Sequence, residues 1–507
     1  MTGINSIRFG GIASGLDTEG IIKQLMNIEQ TKLDRFNQQK QLLEWKRTDY
    51  RSINNQLRSF REGANWNLRM QGTYLTKTAT TTNNSFFNVT ATNNAEAGNY
   101  TFEVKELAKG VTVEGFPTQT IAEFFEGQTE NKITFSFRGN GAADASTVTV
   151  NKGDTFNDVV NKINALTKDT GVKAVYDPGI KGFFLYTEST GKNAQIEITD
   201  DKSGFLGGAL GLKQPGSDTP LGAVDGSSVI LGTGTNAKIN FNDIDLEFAS
   251  NKFEFIGMSF DLKKAAPGEK VNVQVNNNVD KIVDEIKAFV EAYNKIIDEI
   301  GTKLSEKRYR DFPPLTEEQK ADMKEKDIEK WEEKARSGIF RADSLLSNIA
   351  SNMRMTVTDM VSGLDGKYKT LSSIGIMTSP DWKDNGKLYI DEEKLREALN
   401  EDLEGVAKVF NNDSDDPKSQ GIAQKLDTQI RGYYEQIAST AGRSTAAVDE
   451  SYLGKEISGL DDRIKTMQDR MLMLEEKYWR QFTAMEKALQ QMQSQGDWLA
   501  TQLGMGQ

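Results

Sequence analysis

Two long stretches without glycine or proline, one near each end of the chain, constrain its fold most. They run Ile21–Glu62 and Leu460–Gln495, and all nine prolines lie between Pro117 and Pro417. Proline breaks helix interiors and glycine weakens them. Each stretch can therefore be one unbroken helix, about 63 Å and about 54 Å long at the standard rise per residue. The later stretch has an apolar seam: Ile457, Leu460, Ile464, Met467, Met471, Leu474, Tyr478, Phe482, Met485, Leu489 and Met492. The steps are threes and fours, the spacing of a coiled coil. Two adjacent fours, around Tyr478 and Phe482, make a stutter that locally unwinds a supercoil. Asp462, Arg463, Asp469, Arg470, Glu476 and Lys477 lie off the seam and read as a solvated mixture of signs.

The earlier stretch is weaker. Leu43, Tyr50 and Leu57 are seven apart, as are Ile53 and Phe60, and Leu33 and Phe36 belong to a looser stripe upstream. Lys40, Arg47 and Asn54 interrupt it. A helix this polar is marginal alone. The predicted assembly seam joins Leu33, Phe36, Leu43, Tyr50 and Leu57 to the C-terminal row, the two ends forming a coiled-coil leg.

Between the ends the pattern changes twice. Thr73–Val275 is rich in Thr, Val, Phe, Tyr, Asn and Gly. Alternating runs at Tyr100–Leu107, Ile133–Phe137, Thr147–Val150, Lys173–Tyr176, Phe183–Tyr186 and Val271–Val275 predict strands. Phe156–Leu166 predicts one helix, with Thr155 as N-cap. Gly204–Gly216 and Gly222–Gly234 read as long loops or linkers. Then Ile282, Ile286, Phe289, Tyr293, Ile296 and Ile300 predict a core-facing helix over Val279–Gly301. Leu346, Ile349, Met353, Val357 and Met360 predict another. Charged Glu306–Arg336 reads as a surface excursion with one short helix near Thr316–Lys334.

The expected fold is multidomain α+β: paired terminal helices as a leg, a helical-bundle domain, and inserted β-rich domains at the far end. The divisions are 1–42 with 436–507 (leg), 43–75 with 277–435 (helical), 76–115 with 230–276 (β-rich) and 116–229 (inserted β-rich). An elongated object with the leg as its base follows from that layout.

Composition excludes much chemistry. The chain has 507 residues and neither histidine nor cysteine. Serine–histidine triads, cysteine nucleophiles, imidazole or thiolate metal sites and disulfides are therefore absent. The net charge of −12 disfavours a nucleic-acid binder. No run approaches the length of a membrane span, and Met1–Gly20 lacks the pattern of a cleaved signal peptide. Asp381–Glu392 places acidic and amide residues near calcium-loop positions, but Lys383 stands where an oxygen ligand is needed. A β-hairpin turning at Asn385–Gly386, with a helix starting near Asp391, is the competing reading. Gly191–Lys192 and Gly366–Lys367 lack the rest of a phosphate loop, and Gly232-Thr-Gly234 lacks the third glycine of a dinucleotide fingerprint. No cofactor, metal or catalytic residue is assigned, and the chain is not expected to be an enzyme.

The opening Phe9-Gly-Gly-Ile-Ala-Ser-Gly-Leu-Asp17-Thr-Glu19, followed by Ile21–Met26, resembles the start of bacterial flagellar filament-capping proteins, the hook-associated protein 2 family. Arg308–Leu315, Trp331–Ala335 and Leu460–Leu503 look like the same family. Lys152–Phe156, Ile163-Asn164 and Phe183–Tyr186 are similar to a motif shared by flagellins and hook-associated proteins. The resemblance implies a cap at the distal tip of the flagellar filament that promotes folding and insertion of exported flagellin. It implies a ring-shaped homo-oligomer, usually of five subunits, contacts with flagellin and hook–filament junction proteins, and a type III export chaperone. It also implies an extracellular location, reached by the flagellar type III system without a cleaved signal. Two alternatives stay open: a surface adhesin using the β-rich middle, and an embedded glycosidase whose carboxylates would share one cleft.

Overall fold

The computed structural model describes residues 15–139, 144–443, 448–502 and 504. Most of the opening signature, from Phe9 to Ser14, lies outside them. The chain forms two compact units. One takes the chain up to Tyr74 and from Val279 onward, and the other is Leu75–Asn278.

The first unit is helical. Its N-terminal helix is unbroken from Thr18 to Glu62 and starts at Asp17, whose carboxylate accepts the Gly20 N–H at 2.9 Å. The long core helix, Val279–Ser305, buries Ile282, Ile286, Phe289, Tyr293, Ile296 and Ile300. Aromatic rings join it to distant segments: Phe289 lies 5.3 Å from Phe60 and 6.0 Å from Phe410. Such pairs add modestly to their burial.

Two expectations for this unit need revision. The helix carrying Leu346, Ile349, Met353 and Val357 is Ser344–Thr358; it stops at Asp359, whose backbone is extended, so Met360 lies beyond it and is exposed. The excursion has two helices, not one. Thr316 and Gln319 form a capping box for Glu317–Ala321, and a second helix, Glu325–Arg336, starts anew from the Lys324 carbonyl. The excursion is also knitted to itself: Trp331 Nε1 donates to the Pro313 carbonyl at 2.8 Å, and Arg308 donates to the carbonyls of Ala335 and Ser337. Of the two readings of Asp381–Glu392, the structure takes the hairpin. Strands Ile376–Thr378 and Leu388–Ile390 pair across a turn with φ of +53° at Asn385 and +87° at Gly386. Asp381 accepts the Lys383 N–H, and Asp391 caps helix Glu392–Glu401.

The second unit is all antiparallel sheet apart from short helices, and it has two cores. In one, a five-stranded sheet runs in the order Lys77–Thr81, Val271–Asn277, Gly98–Glu106, Ala237–Phe241, Ile244–Phe248. A three-stranded sheet of Lys252–Phe255, Met258–Leu262 and Phe87–Ala91 packs with it, through Phe87, Phe102 and Phe260. The other core lies among a four-stranded sheet (Val229–Thr233, Gln195–Asp200, Lys132–Gly139, Ser146–Asn151), a three-stranded sheet (Thr112–Gly115, Gly182–Thr187, Val172–Asp177) and helix Phe156–Ala165. Thr155 caps that helix, in a box with Asp158.

The glycine-rich stretches are not linkers. Phe205, Leu206, Ala209, Leu210 and Leu212 are fully buried in the second core, and Val229–Thr233 is a strand. Gly207, Gly211 and Gly234 allow close approach of backbones: a Cβ on Gly207 would sit 1.9 Å from the Leu221 carbonyl oxygen. That is a packing requirement, not a sign of flexibility.

Candidate functional site

The helical unit brings the two chain ends together as an antiparallel pair. The terminal helix, Tyr452–Gln502, runs against Thr18–Glu62. Leu33, Ile464 and Met467 are buried together, with Phe36 and Met471 partly buried around them. Moving along the first helix toward its C-terminus, Lys40 Nζ meets Asp461 at 2.6 Å. Further on, Arg51 and Arg47 meet Asp449 at 2.7 and 3.4 Å.

The charged residues that interrupt the seam thus have partners. Lys40 and Arg47 stand where apolar residues belong in a regular heptad, and each faces a carboxylate on or beside the terminal helix. The hydrogen bond that Lys40 donates to Asp461 holds the ammonium pKa above its ordinary value. Asp449 ties the turn before the terminal helix to the first helix. It also accepts from Ser451 Oγ at 2.5 Å and from the Ser451 N–H, while Arg51 Nε reaches the Ala441 carbonyl at 2.8 Å.

The structure divides the predicted seam. Leu33 and Phe36 face the terminal helix. Tyr50 and Leu57 are buried in the main helical core, and Leu43 packs on that core. Tyr50 Oη donates to Asp343 at 2.6 Å, and Lys46 Nζ lies 3.0 Å from the same carboxylate. On the terminal helix, Ile457, Leu460, Ile464 and Met467 are buried; Met471, Leu474, Tyr478, Phe482 and Leu489 are half-buried; Met485 and Met492 are exposed. Sequence reading missed Asp343, Asp449 and Asp461. The available signal was the position of Lys40 and Arg47 inside an apolar row, since a charge there calls for a countercharge.

Two of these carboxylates make the pairing acid-sensitive. Burial pushes Asp343 up, but hydrogen bonds from Tyr50, Lys46 and the Leu346 N–H outweigh it and leave the group below its ordinary 3.8. Burial likewise pushes Asp449 up, and Ser451, Arg51 and Arg47 together bring it below that value. A depressed carboxyl pKa stabilises the folded state above the unfolded value, and this contribution is lost as pH falls through the folded value. The attachment of the first helix should therefore hold at neutral pH and weaken below about pH 4. Amide exchange over 30–60 and 449–467 checks this; protection that stays constant down to pH 2.5 refutes it.

Nothing in this site resembles catalytic machinery. The groove beside the first helix holds about 410 Å³ and is lined by Gln30, Asp34, Gln41, Glu317, Lys320 and Gln468 among others. Among the described residues, no group of three or more metal-ligating side chains converges, and no helix is long and apolar enough to cross a membrane.

Chain ends paired by a short apolar seam and ionic contacts, with a compact β unit between them in sequence, have the architecture of a structural protein. The comparisons with known proteins name its family. Residues 234–494 match the family model for the flagellar hook-associated protein 2 C-terminus, and residues 14–110 match that for its N-terminus. Residues 133–185 match the flagellin hook IN motif. The chain is 30% identical to flagellar hook-associated protein 2 of Halalkalibacterium halodurans, over 96% of this chain and 98% of that one. It is 27% identical to the B-type protein of Pseudomonas aeruginosa, over 80% and 82%. The chain belongs to the flagellar hook-associated protein 2 family. Its fold is similar to the crystal structure of the D1-D2-D3 domains of the flagellar cap protein FliD from Escherichia coli, with a TM-score of 0.54 at 20% identity, covering 82% of this chain and 99% of that one. The comparisons lend the adhesin alternative no support.

Proposed function

We propose that this protein is the structural cap at the distal tip of the bacterial flagellar filament, where it promotes the folding and insertion of flagellin. Family membership over nearly the whole chain carries the reading, and the ionic, sparsely apolar pairing of the chain ends fits it. The protein works as a homo-oligomer outside the cell and associates with flagellin at the filament. We further propose a five-subunit ring, contact with hook–filament junction proteins, and unfolded export through the type III system with a dedicated chaperone. The four-part division of the chain into leg, helical domain and two β-rich domains belongs to the same proposal.

The mechanism is mechanical. The terminal helices share a small apolar cluster of Leu33, Ile464 and Met467, with Phe36 and Met471 beside it. Exposed ion pairs contribute little each. A pairing this lightly held can be loosened and remade as each flagellin subunit is added, the ordering cost being met by contact with the filament. Deleting residues 457–507 should leave the Leu75–Asn278 unit folded, with unchanged β-sheet circular dichroism, and abolish labelling of filament tips. Tip labelling by the truncated chain at the native level would sink the proposal.

A further inference from the structure

The outer surface of the terminal helix has an order that neither the seam nor the filament-cap reading uses. Asp462, Asp469 and Glu476 recur every seven residues, and so do Arg463, Arg470 and Lys477. All six are exposed. On a helix, a seven-residue repeat makes a stripe nearly parallel to the axis, and neighbouring residues are about 100° apart. The face therefore carries an acidic stripe and a basic stripe, each about 21 Å long. Between them runs an uncharged column of Gly459, Thr466 and Met473. Met473 is 64% exposed, and a Cβ on Gly459 would meet nothing within 4 Å.

Charges on a solvated helix are usually stitched by pairs four residues apart. Here the spacing blocks most of that stitching, Lys465, four residues before Asp469, being the exception. Four residues after Asp462 and Asp469, and four before Arg463, Arg470 and Lys477, the neutral column intervenes. Glu476 is paired in this way, with Arg480 at 3.6 Å. Segregated, sparsely stitched stripes flanking a small and apolar column have the pattern of a helix–helix contact with charged margins.

We propose that this face is a self-association surface, on which the terminal helix of one copy packs parallel to that of the next, acidic stripe against basic stripe. The inference rests on the homo-oligomer reading above and deepens it by naming the surface. Charge complementarity selects the occupant and its direction. Two copies related by rotation about an axis along the helix set opposite signs face to face. An antiparallel pair sets acid against acid and base against base, which costs energy. Gly459 and Thr466 permit close approach, and Met473 adapts to whatever lies opposite.

The test uses the full chain in two forms: Arg463→Glu with Arg470→Glu and Lys477→Glu, and Asp462→Lys with Asp469→Lys and Glu476→Lys. The positions are exposed, so folding is expected to persist, and circular dichroism checks it. By sedimentation at low salt, each form alone should associate at least about tenfold more weakly than the native chain. An equimolar mixture should regain association, and added salt should weaken the native assembly. Association of either form at native strength overturns the proposal. So does a mixture that stays dissociated while both forms are folded. A native chain that remains monomeric at every concentration overturns the homo-oligomer reading itself, which separates that failure from failure of the stripes.

Discussion

Asp427→Asn should destabilise the helical unit by about 3–5 kcal/mol, the range for breaking a buried charge network by removing one partner. Asp427 is 2% exposed. Its carboxylate lies 2.8 Å from Arg61 on the first helix, 2.8 Å from Arg69 on the following short helix, and 2.9 Å from Arg431 on its own helix. The asparagine keeps the shape but leaves two partly buried guanidinium groups without a countercharge. Arg431→Ala is the control. That side chain is 65% exposed and only four residues away, so its loss should cost about 0.5 kcal/mol or less. Urea melts followed by helical circular dichroism distinguish the two. A change under about 1 kcal/mol for Asp427→Asn would show that the arginines find water instead.

Phe289→Ala should have an effect of similar size by another route, about 3–5 kcal/mol, because it opens a cavity where collapse is hindered. The ring is fully buried between Phe60 and Phe410, which come from segments more than a hundred residues away on either side. The second unit has its own two cores, so its unfolding transition should stay where it is. The measurement is calorimetry of the whole chain, resolved into transitions. Equal displacement of all transitions would mean that the two units unfold as one, contrary to their separate cores.

The two substitutions also show what could be read from the sequence. Phe289 lies on a helix whose apolar residues repeat at threes and fours, so its burial follows from periodicity. Asp427 shows only the local Arg431 spacing; Arg61 and Arg69 converge on it only when the chain is folded. The predicted strand runs and the Thr155 cap depend on alternation and on local hydrogen bonding, and all appear in the structure. Gly204–Gly216 was misread because composition cannot tell a glycine that loosens a chain from one that lets Leu221 approach Gly207. The leg seam was half legible. Leu33 faces the terminal helix, whereas Tyr50 and Leu57 turn into the bundle. The heptad spacing is the same for both destinations.

The sequence by itself determined the elements: two unbroken terminal helices, a β-rich middle and a helical return, and a chain without histidine or cysteine chemistry. These follow from local rules, since helix breakers, caps and periodicity act over a few residues. Only the tertiary structure decided the partners. It set Lys40 against Asp461, Arg51 against Asp449, Tyr50 against Asp343, and Arg61 and Arg69 against Asp427. Such pairings join residues hundreds of positions apart. How strong each is depends on its burial, which no local pattern encodes.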